Sequence, residues 1–223
     1  PYQLVALTKL LINKQRALLI ADGVGVGKTI SAAYIASYFL KRTDKPIAIV
    51  SPNILVNKWR AELKQKFNID SFQVTDMNEL ETAESEIMYA KKLKKKKAYV
   101  FSHSMFLRDN FETKIEPVLL VIDEIHNFRN PETKGFHNLL LLCKNAKFRV
   151  GLTATPINND LEDLTTEIKL LMPILDYEAL KFTINEVWQS REYEMLSPFL
   201  TRFEKEHLGI HFAKREIHSH WIE

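Results

Sequence analysis

Ala21-Asp22-Gly23-Val24-Gly25-Val26-Gly27-Lys28-Thr29 is the stretch that decides the fold. It follows the apolar run Ala17 to Ile20, which suits a buried strand, and leads into Ile30 to Leu40, which reads as a helix. Strand, glycine-rich loop and helix together make the setting a phosphate-binding loop requires. Three of the chain's six glycines fall in these nine residues, because backbone N–H groups wrap a phosphate only where no side chain blocks close approach. The helix N-terminus adds partial positive charge at the same point. Lys28 is placed to reach the β- and γ-phosphates of a nucleotide, and the Thr29 hydroxyl to ligate Mg²⁺. The loop residues Gly23, Val24, Gly25, Val26 and Gly27 are the expected cradle. In the general pattern Gly-x-x-x-x-Gly-Lys-Thr the first glycine falls at position 22, where this chain has Asp22.

A chain of 223 residues buries a sizeable core, at ~100–200 residues per domain. With 26% charged and 46% apolar residues it has the composition of an ordinary globular domain. A formal charge of +3 permits a nucleic-acid partner without requiring one. Cys143 is the one cysteine and sits in the apolar run Leu139 to Cys143, as a buried thiol in a reducing compartment does. No apolar run approaches the ~20 residues of a membrane span, and no signal peptide opens the chain. The expectation is a protein with no membrane partner, cytoplasmic, or nuclear if the source is eukaryotic. Pro1 in place of methionine suggests a piece of a longer protein.

Outward from the loop, runs with strand character alternate with runs of helical periodicity. Strands are expected at Ile47 to Val50, Phe72 to Val74, Ala98 to Phe101, Val118 to Ile122 and Phe148 to Leu152. Helices are expected over Pro1 to Ile12, Ile54 to Phe67, Asn78 to Lys97, Gly135 to Lys144 and Leu161 to Leu171. Leu55, Trp59, Leu63 and Phe67, four residues apart, mark one helix face, where Trp59 reads as core. This alternation implies parallel strands with helical crossovers, hence a three-layer α/β sheet. Ligands of such sheets gather at the carboxyl ends of the strands. Asp176 to His207 looks helical, and Lys214 to Ile222 looks extended. The lysine run 91 to 97, six lysines in seven residues, reads as a solvated charged face.

Asp123-Glu124 closes the run Val118 to Ile122. A carboxylate there can hold Mg²⁺ opposite the phosphate loop while a second polarises the attacking water; Asp123 takes the metal role and Glu124 the base role. His126 falls near the γ-phosphate side of such a site.

Asp123-Glu124-Ile125-His126 resembles the Asp-Glu-x-His box of superfamily-two helicase-like ATPases. Asp22 to Thr29 is similar to the Asp-Glu-x-Gly-x-Gly-Lys-Thr loop of their Swi/Snf class, with Gly23 in place of the glutamate. Phe128-Arg129-Asn130-Pro131 and Leu152 to Leu164 resemble the same class, as do Pro1-Tyr2-Gln3 and, in part, Leu196 to Lys205. Ile125 departs from the commoner alanine.

The resemblance implies a RecA-like P-loop NTPase lobe over residues 1–173, followed at 174–223 by a helical extension and linker toward a second motor lobe. It implies ATP and Mg²⁺ as cofactors. Gln3 would read the adenine, and Asp22 and His126 would join the loop in binding the nucleotide. Lys28, Asp123 and Glu124 would be catalytic, with Thr29 and Asp123 at the metal. Ser51, Pro52, Lys58, Ser102 and His103 match segments that contact the DNA backbone, and Thr153-Ala154-Thr155 would couple nucleotide state to DNA grip. The implied activity is that of a DNA-dependent ATPase that translocates on duplex DNA and remodels protein–DNA complexes. The arginine finger would come from the second lobe, so the lobe alone is expected to turn over slowly. Two alternatives stay open: the lobe of a strand-separating restriction, defence or repair helicase, and a degenerate, non-enzymatic DNA-binding lobe.

Overall fold

The run Leu119–Asp123 is buried at every position, as a central strand covered on both faces must be. The computed structural model describes residues 3–12, 16–93, 97–155 and 161–203. In chain order the strands are β1 (Ala17–Ile20), β2 (Ile47–Ser51), β3 (Ser71–Val74), β4 (Ala98–Ser102), β5 (Leu119–Asp123), β6 (Phe148–Leu152) and β7 (Leu200–Thr201). The helices are α1 (Gln3–Ile12), α2 (Lys28–Leu40), α3 (Val56–Phe67), α4 (Met77–Leu93), α5 (Lys134–Asn145), α6 (Leu161–Leu171) and α7 (Tyr177–Ser190).

One sheet results, in the order β3-β4-β2-β5-β6-β1-β7, with every described pairing parallel. Alternate strand residues serve opposite faces. Leu19, Val50, Phe101 and Ile122 pack in one apolar layer with residues of α5 and α6. Leu18, Ile49, Val100 and Val121 pack in the other with Leu10 of α1, Ala36 of α2 and Leu63 of α3. This is the three-layer α/β architecture expected from the alternation.

The register sets the chemistry at one edge. Asp123 pairs with Leu152, Leu152 with Ile20, and Ser51 with Ser102. The segments leaving β1, β2, β4, β5 and β6 therefore emerge side by side at the carboxyl edge. Among the described residues no helix is long and apolar enough to cross a membrane.

The reading of 174–223 as a helical extension and linker meets the described structure only over 174–203. Helix α7 ends at Arg191, in the left-handed conformation at φ 61°, and the chain then returns to the sheet as β7 beside β1. Leu180 and Ile184 of α7 are buried in the same core as β1, and Leu196 and Leu200 pack against it. The described part of this extension therefore packs on the core of the lobe. Residues 204–223, including Lys214 to Ile222, lie outside the described residues, as do residues 94–96 of the lysine run.

Helix α6 carries an unexpected group. Glu167 is fully buried, and neither carboxylate oxygen finds a hydrogen-bond partner among the described residues. Burial, reinforced by Asp163 one turn away and opposed by Arg129, pushes its carboxyl up to about 9. The folded state therefore holds a proton that the unfolded chain releases above pH ~4.5, so stability falls as pH rises from there toward 9. At ~1.36 kcal/mol per pH unit the cost near pH 7 is roughly 3 kcal/mol. Glu167→Leu is expected to be more stable than wild type at pH 8, with the advantage shrinking toward pH 5. Denaturant midpoints across that range check this; parallel pH profiles for the two proteins would refute it.

Candidate functional site

The loop after β1 passes twice through the left-handed region, at Gly25 (φ 80°) and Gly27 (φ 101°), where a Cβ would be strained. These turns deliver the backbone to the start of α2, whose first N–H groups have no partner within the helix. Gly27 precedes the helix without a side-chain cap. Val26 is buried and Val24 exposed, so the loop's ligand surface is backbone plus Lys28 and Thr29. Lys28 Nζ donates to the carbonyls of Asp22 at 2.8 Å and Gly23 at 3.2 Å, which holds the ammonium over the loop where phosphate oxygens would compete for it.

Asp22 is buried, and its Oδ1 accepts the Phe203 N–H at 2.9 Å. Gly23 N–H donates to the Phe203 carbonyl and Ala21 N–H to that of Thr201, both at 2.8 Å. The Asp22 carboxylate, expected at the nucleotide, is engaged here by the chain itself. Its carboxylate splices the phosphate loop to the segment after β7, so the supposed linker begins as sheet edge.

Asp123 ends β5 beside Leu152. Burial pushes its carboxyl up from the usual carboxylate range and Glu124 adds to this, while the Trp59 indole, the Glu124 N–H and Lys28 oppose it. Because β1 and β5 both pair with β6, the loop that carries Lys28 and the strand-end acid open on the same edge. Glu124 adopts the left-handed conformation (φ 49°, ψ 52°), which breaks the strand and turns the next side chains. His126 Nδ1 lies 3.4 Å from Glu124 Oε2 and 3.2 Å from Thr153 Oγ1. Thr153 N–H donates to Ile20 O at 3.0 Å, and Thr155 N–H to Thr153 Oγ1 at 3.1 Å. Thr153-Ala154-Thr155 is thus bonded both to the strand that carries the phosphate loop and, through His126, to Glu124.

Hard oxygen donors at Thr29 and Asp123, a glycine cradle and an adjacent lysine fit a nucleotide triphosphate with Mg²⁺. No group of three or more potential metal-binding side chains occurs among the described residues, so phosphate and water oxygens would have to complete the coordination. Gln3 opens α1; its side chain lies outside the described residues, as do Pro156 to Asp160.

Of the five residues matched to DNA contact, three turn inward. Ser51 and Ser102 are buried, their hydroxyls occupied by the Pro52 carbonyl and the Ser104 hydroxyl. His103 Nε2 bonds the Asp123 carbonyl at 3.0 Å and its ring meets Phe128 at 4.8 Å. Burial pulls His103 down to about 4, with His126 acting the same way and the Asp123 carbonyl opposing, so the ring is neutral at pH 7. These three side chains are thus engaged within the chain, where the crossovers that follow central parallel strands cover them. Lys58 and its neighbours Asn53 and Asn57 are exposed, and Pro52 is half-buried.

Three features escaped the sequence reading. Trp59, correctly read as core, also donates its indole N–H to Asp123 Oδ2 at 2.7 Å. Phe203 is a backbone partner of Asp22. Ile125 is accommodated by Gly151, where a Cβ would come within 2.9 Å of Ile125 Cδ1 and 3.1 Å of Leu19 Cδ1. Each is a contact between distant segments, which periodicity cannot register.

Several known proteins are similar to this chain. The uncharacterized ATP-dependent helicase YqhH of Bacillus subtilis is 29% identical over 185 residues, covering 78% of this chain and 29% of its own length. The CHD3-type chromatin-remodeling factor PICKLE of Arabidopsis thaliana is 27% identical, covering 91% of this chain and 17% of its own. The chain thus spans under a third of the length of these relatives. The SWI2/SNF2 ATPase core of Sulfolobus solfataricus, solved in complex with dsDNA, shares the fold with a TM-score of 0.69 at 24% identity, over 94% of this chain and 45% of that one. A family model described as the SNF2-related domain matches residues 2–222, nearly the whole sequence, and the chain belongs to that family.

Proposed function

We propose that this chain is the first, ATP-binding lobe of a DNA-dependent ATPase that moves on duplex DNA and displaces or remodels what is bound there. The observation that carries the reading is the convergence of Lys28 and Thr29 from the loop after β1 with Asp123 and Glu124 from the end of β5. YqhH is called an ATP-dependent helicase, PICKLE a chromatin-remodeling factor, and the Sulfolobus core was solved on dsDNA; all three names agree with it.

Thr29 and Asp123 would hold Mg²⁺, which supplies charge stabilisation on the β- and γ-phosphate oxygens. Lys28 exchanges the Asp22 and Gly23 carbonyls for phosphate oxygens. Glu124 orients the attacking water and accepts its proton, held in place by His126. Thr153 senses the same group through His126, so a change at Glu124 reaches the segment after β6. Lys58, with Asn53 and Asn57, presents the exposed polar surface at the end of β2 for phosphate contacts that carry no base information. A second lobe in the parent protein would supply the arginine across the cleft. The expected location is the cytoplasm, or the nucleus of a eukaryotic source.

Titration calorimetry with Mg²⁺ and ATP tests the nucleotide site. Wild type is expected to bind and Lys28→Ala to bind at least ~10-fold more weakly, about 1.4 kcal/mol; equal affinities would remove the ATP reading. Turnover by this chain alone is expected to be slow, since a missing arginine finger costs ~10³–10⁵ in rate.

A further inference from the structure

Both carboxylate oxygens of Asp123 are engaged by donors of the chain itself. Oδ1 accepts the N–H of Glu124 at 3.1 Å, a contact that the left-handed turn at 124 provides whatever side chain stands there. Oδ2 accepts the Trp59 indole N–H at 2.7 Å, from 64 residues earlier in the sequence. Trp59 is only 2% exposed and Asp123 6%, so no solvent competes for this bond. The terminal torsion of an aspartate is broad and roughly two-fold, which leaves the plane of a free carboxylate poorly defined. A rigid indole fixed in a close-packed layer removes that freedom. Any large apolar side chain would fill the core beside Val56 and Leu63, but only tryptophan also supplies an N–H at the far end of an apolar ring system.

We propose that Trp59 is a positioning residue for the metal site: its indole N–H fixes Oδ2 of Asp123 so that the remaining lone pairs of the carboxylate face the cation held with Thr29. This rests on the Mg²⁺–ATP reading of the site. The arrangement also makes α3 part of that site. The helix begins just past the end of β2, exposes Lys58 on one side and inserts Trp59 on the other. The carbonyl of the same Asp123 is bonded by His103, from the segment after β4. The two segments matched to DNA contact therefore both end on Asp123, one at its carboxylate and one at its backbone, so a shift of α3 re-aims the metal ligand.

The test uses this chain with Mn²⁺ as the probe, its binding followed by electron paramagnetic resonance in the presence of a non-hydrolysable ATP analogue. Trp59→Phe is expected to weaken Mn²⁺ binding ~10-fold or more, as loss of an outer-shell partner does, with affinity for the metal-free analogue changed less than ~2-fold. In an Asp123→Asn background the same substitution is expected to add no further loss. Unchanged Mn²⁺ affinity, or an equal loss in both backgrounds, overturns the proposal, because a purely structural tryptophan acts regardless of the carboxylate. Should Trp59→Phe fail to fold, the Trp188→Phe/Trp221→Phe chain leaves Trp59 as the one indole. Its emission is expected to shift when Mg²⁺ joins the bound analogue and not to shift with Asp123→Asn added; no shift with Asp123 intact overturns the proposal. If wild type binds no analogue, the ATP reading itself fails; if it binds analogue and metal but ignores Trp59, only this inference does.

Discussion

Replacing Glu124 with glutamine in the full protein is expected to lower ATP turnover by ~100-fold or more while leaving nucleotide binding intact, the range associated with loss of a general base. The two effects separate because different elements supply them. In the proposed site, binding rests on the glycine loop, Lys28, Thr29 and the Asp123 carboxylate, all of which persist in Glu124→Gln. In the proposed mechanism, water activation rests on a carboxylate lifted out of the strand by a left-handed backbone at φ 49°, ψ 52° and paired with His126 at 3.4 Å. An amide has nearly the same shape but no basic oxygen, so the geometry survives and proton acceptance does not. Single-turnover hydrolysis alongside calorimetric ATP binding checks both halves. Turnover retained at the wild-type rate would take Glu124 out of the base role.

The largest stability effect is expected at Arg149. This side chain is 8% exposed on β6. Its Nε donates to the Leu171 carbonyl at 2.5 Å, and its Nη1 to the carbonyls of Ala146 at 2.6 Å and Cys143 at 3.2 Å. Those oxygens lie at the C-terminal ends of α5 and α6, where helix carbonyls lack intrahelical partners and the dipole is negative. One guanidinium thus closes two helices against the sheet. Burial lowers its pKa, yet an arginine remains charged in proteins. Arg149→Met keeps the apolar stem and removes every donor, so the Leu171 and Ala146 carbonyls lose these bonds at ~1–3 kcal/mol each, while the Cys143 carbonyl keeps the Ala146 N–H at 3.3 Å. A loss of about 3–5 kcal/mol is expected, read as a lower denaturant midpoint. Arg149→Lys should recover only part of this, because a point charge cannot span both helix ends as a planar fork does. A loss below ~1 kcal/mol for Arg149→Met would show that the helix ends find other partners.

Much of the site was legible in the residues because its parts are local. A glycine loop between strand and helix, two acids after a run of five buried residues, and Thr153-Ala154-Thr155 after another strand each declare themselves within a few positions. The intrachain partners of Ser51, Ser102 and His103 were not legible, for the same reason. Their place after a strand was right, but whether a side chain there turns outward depends on the crossover that covers it.

The sequence by itself determined the alternation of strands and helices, hence the parallel α/β sheet, and with it the phosphate loop at 21 to 29 and the acidic box at 123 to 126, because periodicity and turn chemistry are set by near neighbours. Only the tertiary structure decided what those parts touch. It put Trp59 on Asp123, joined His126 to Thr153, fitted Ile125 over Gly151 and buried Glu167 with no hydrogen-bond partner among the described residues. It also turned the segment after Pro198 into a seventh strand whose end is held by Asp22. These are contacts between segments tens to nearly two hundred residues apart, and sheet order and register alone bring such segments within reach of a hydrogen bond.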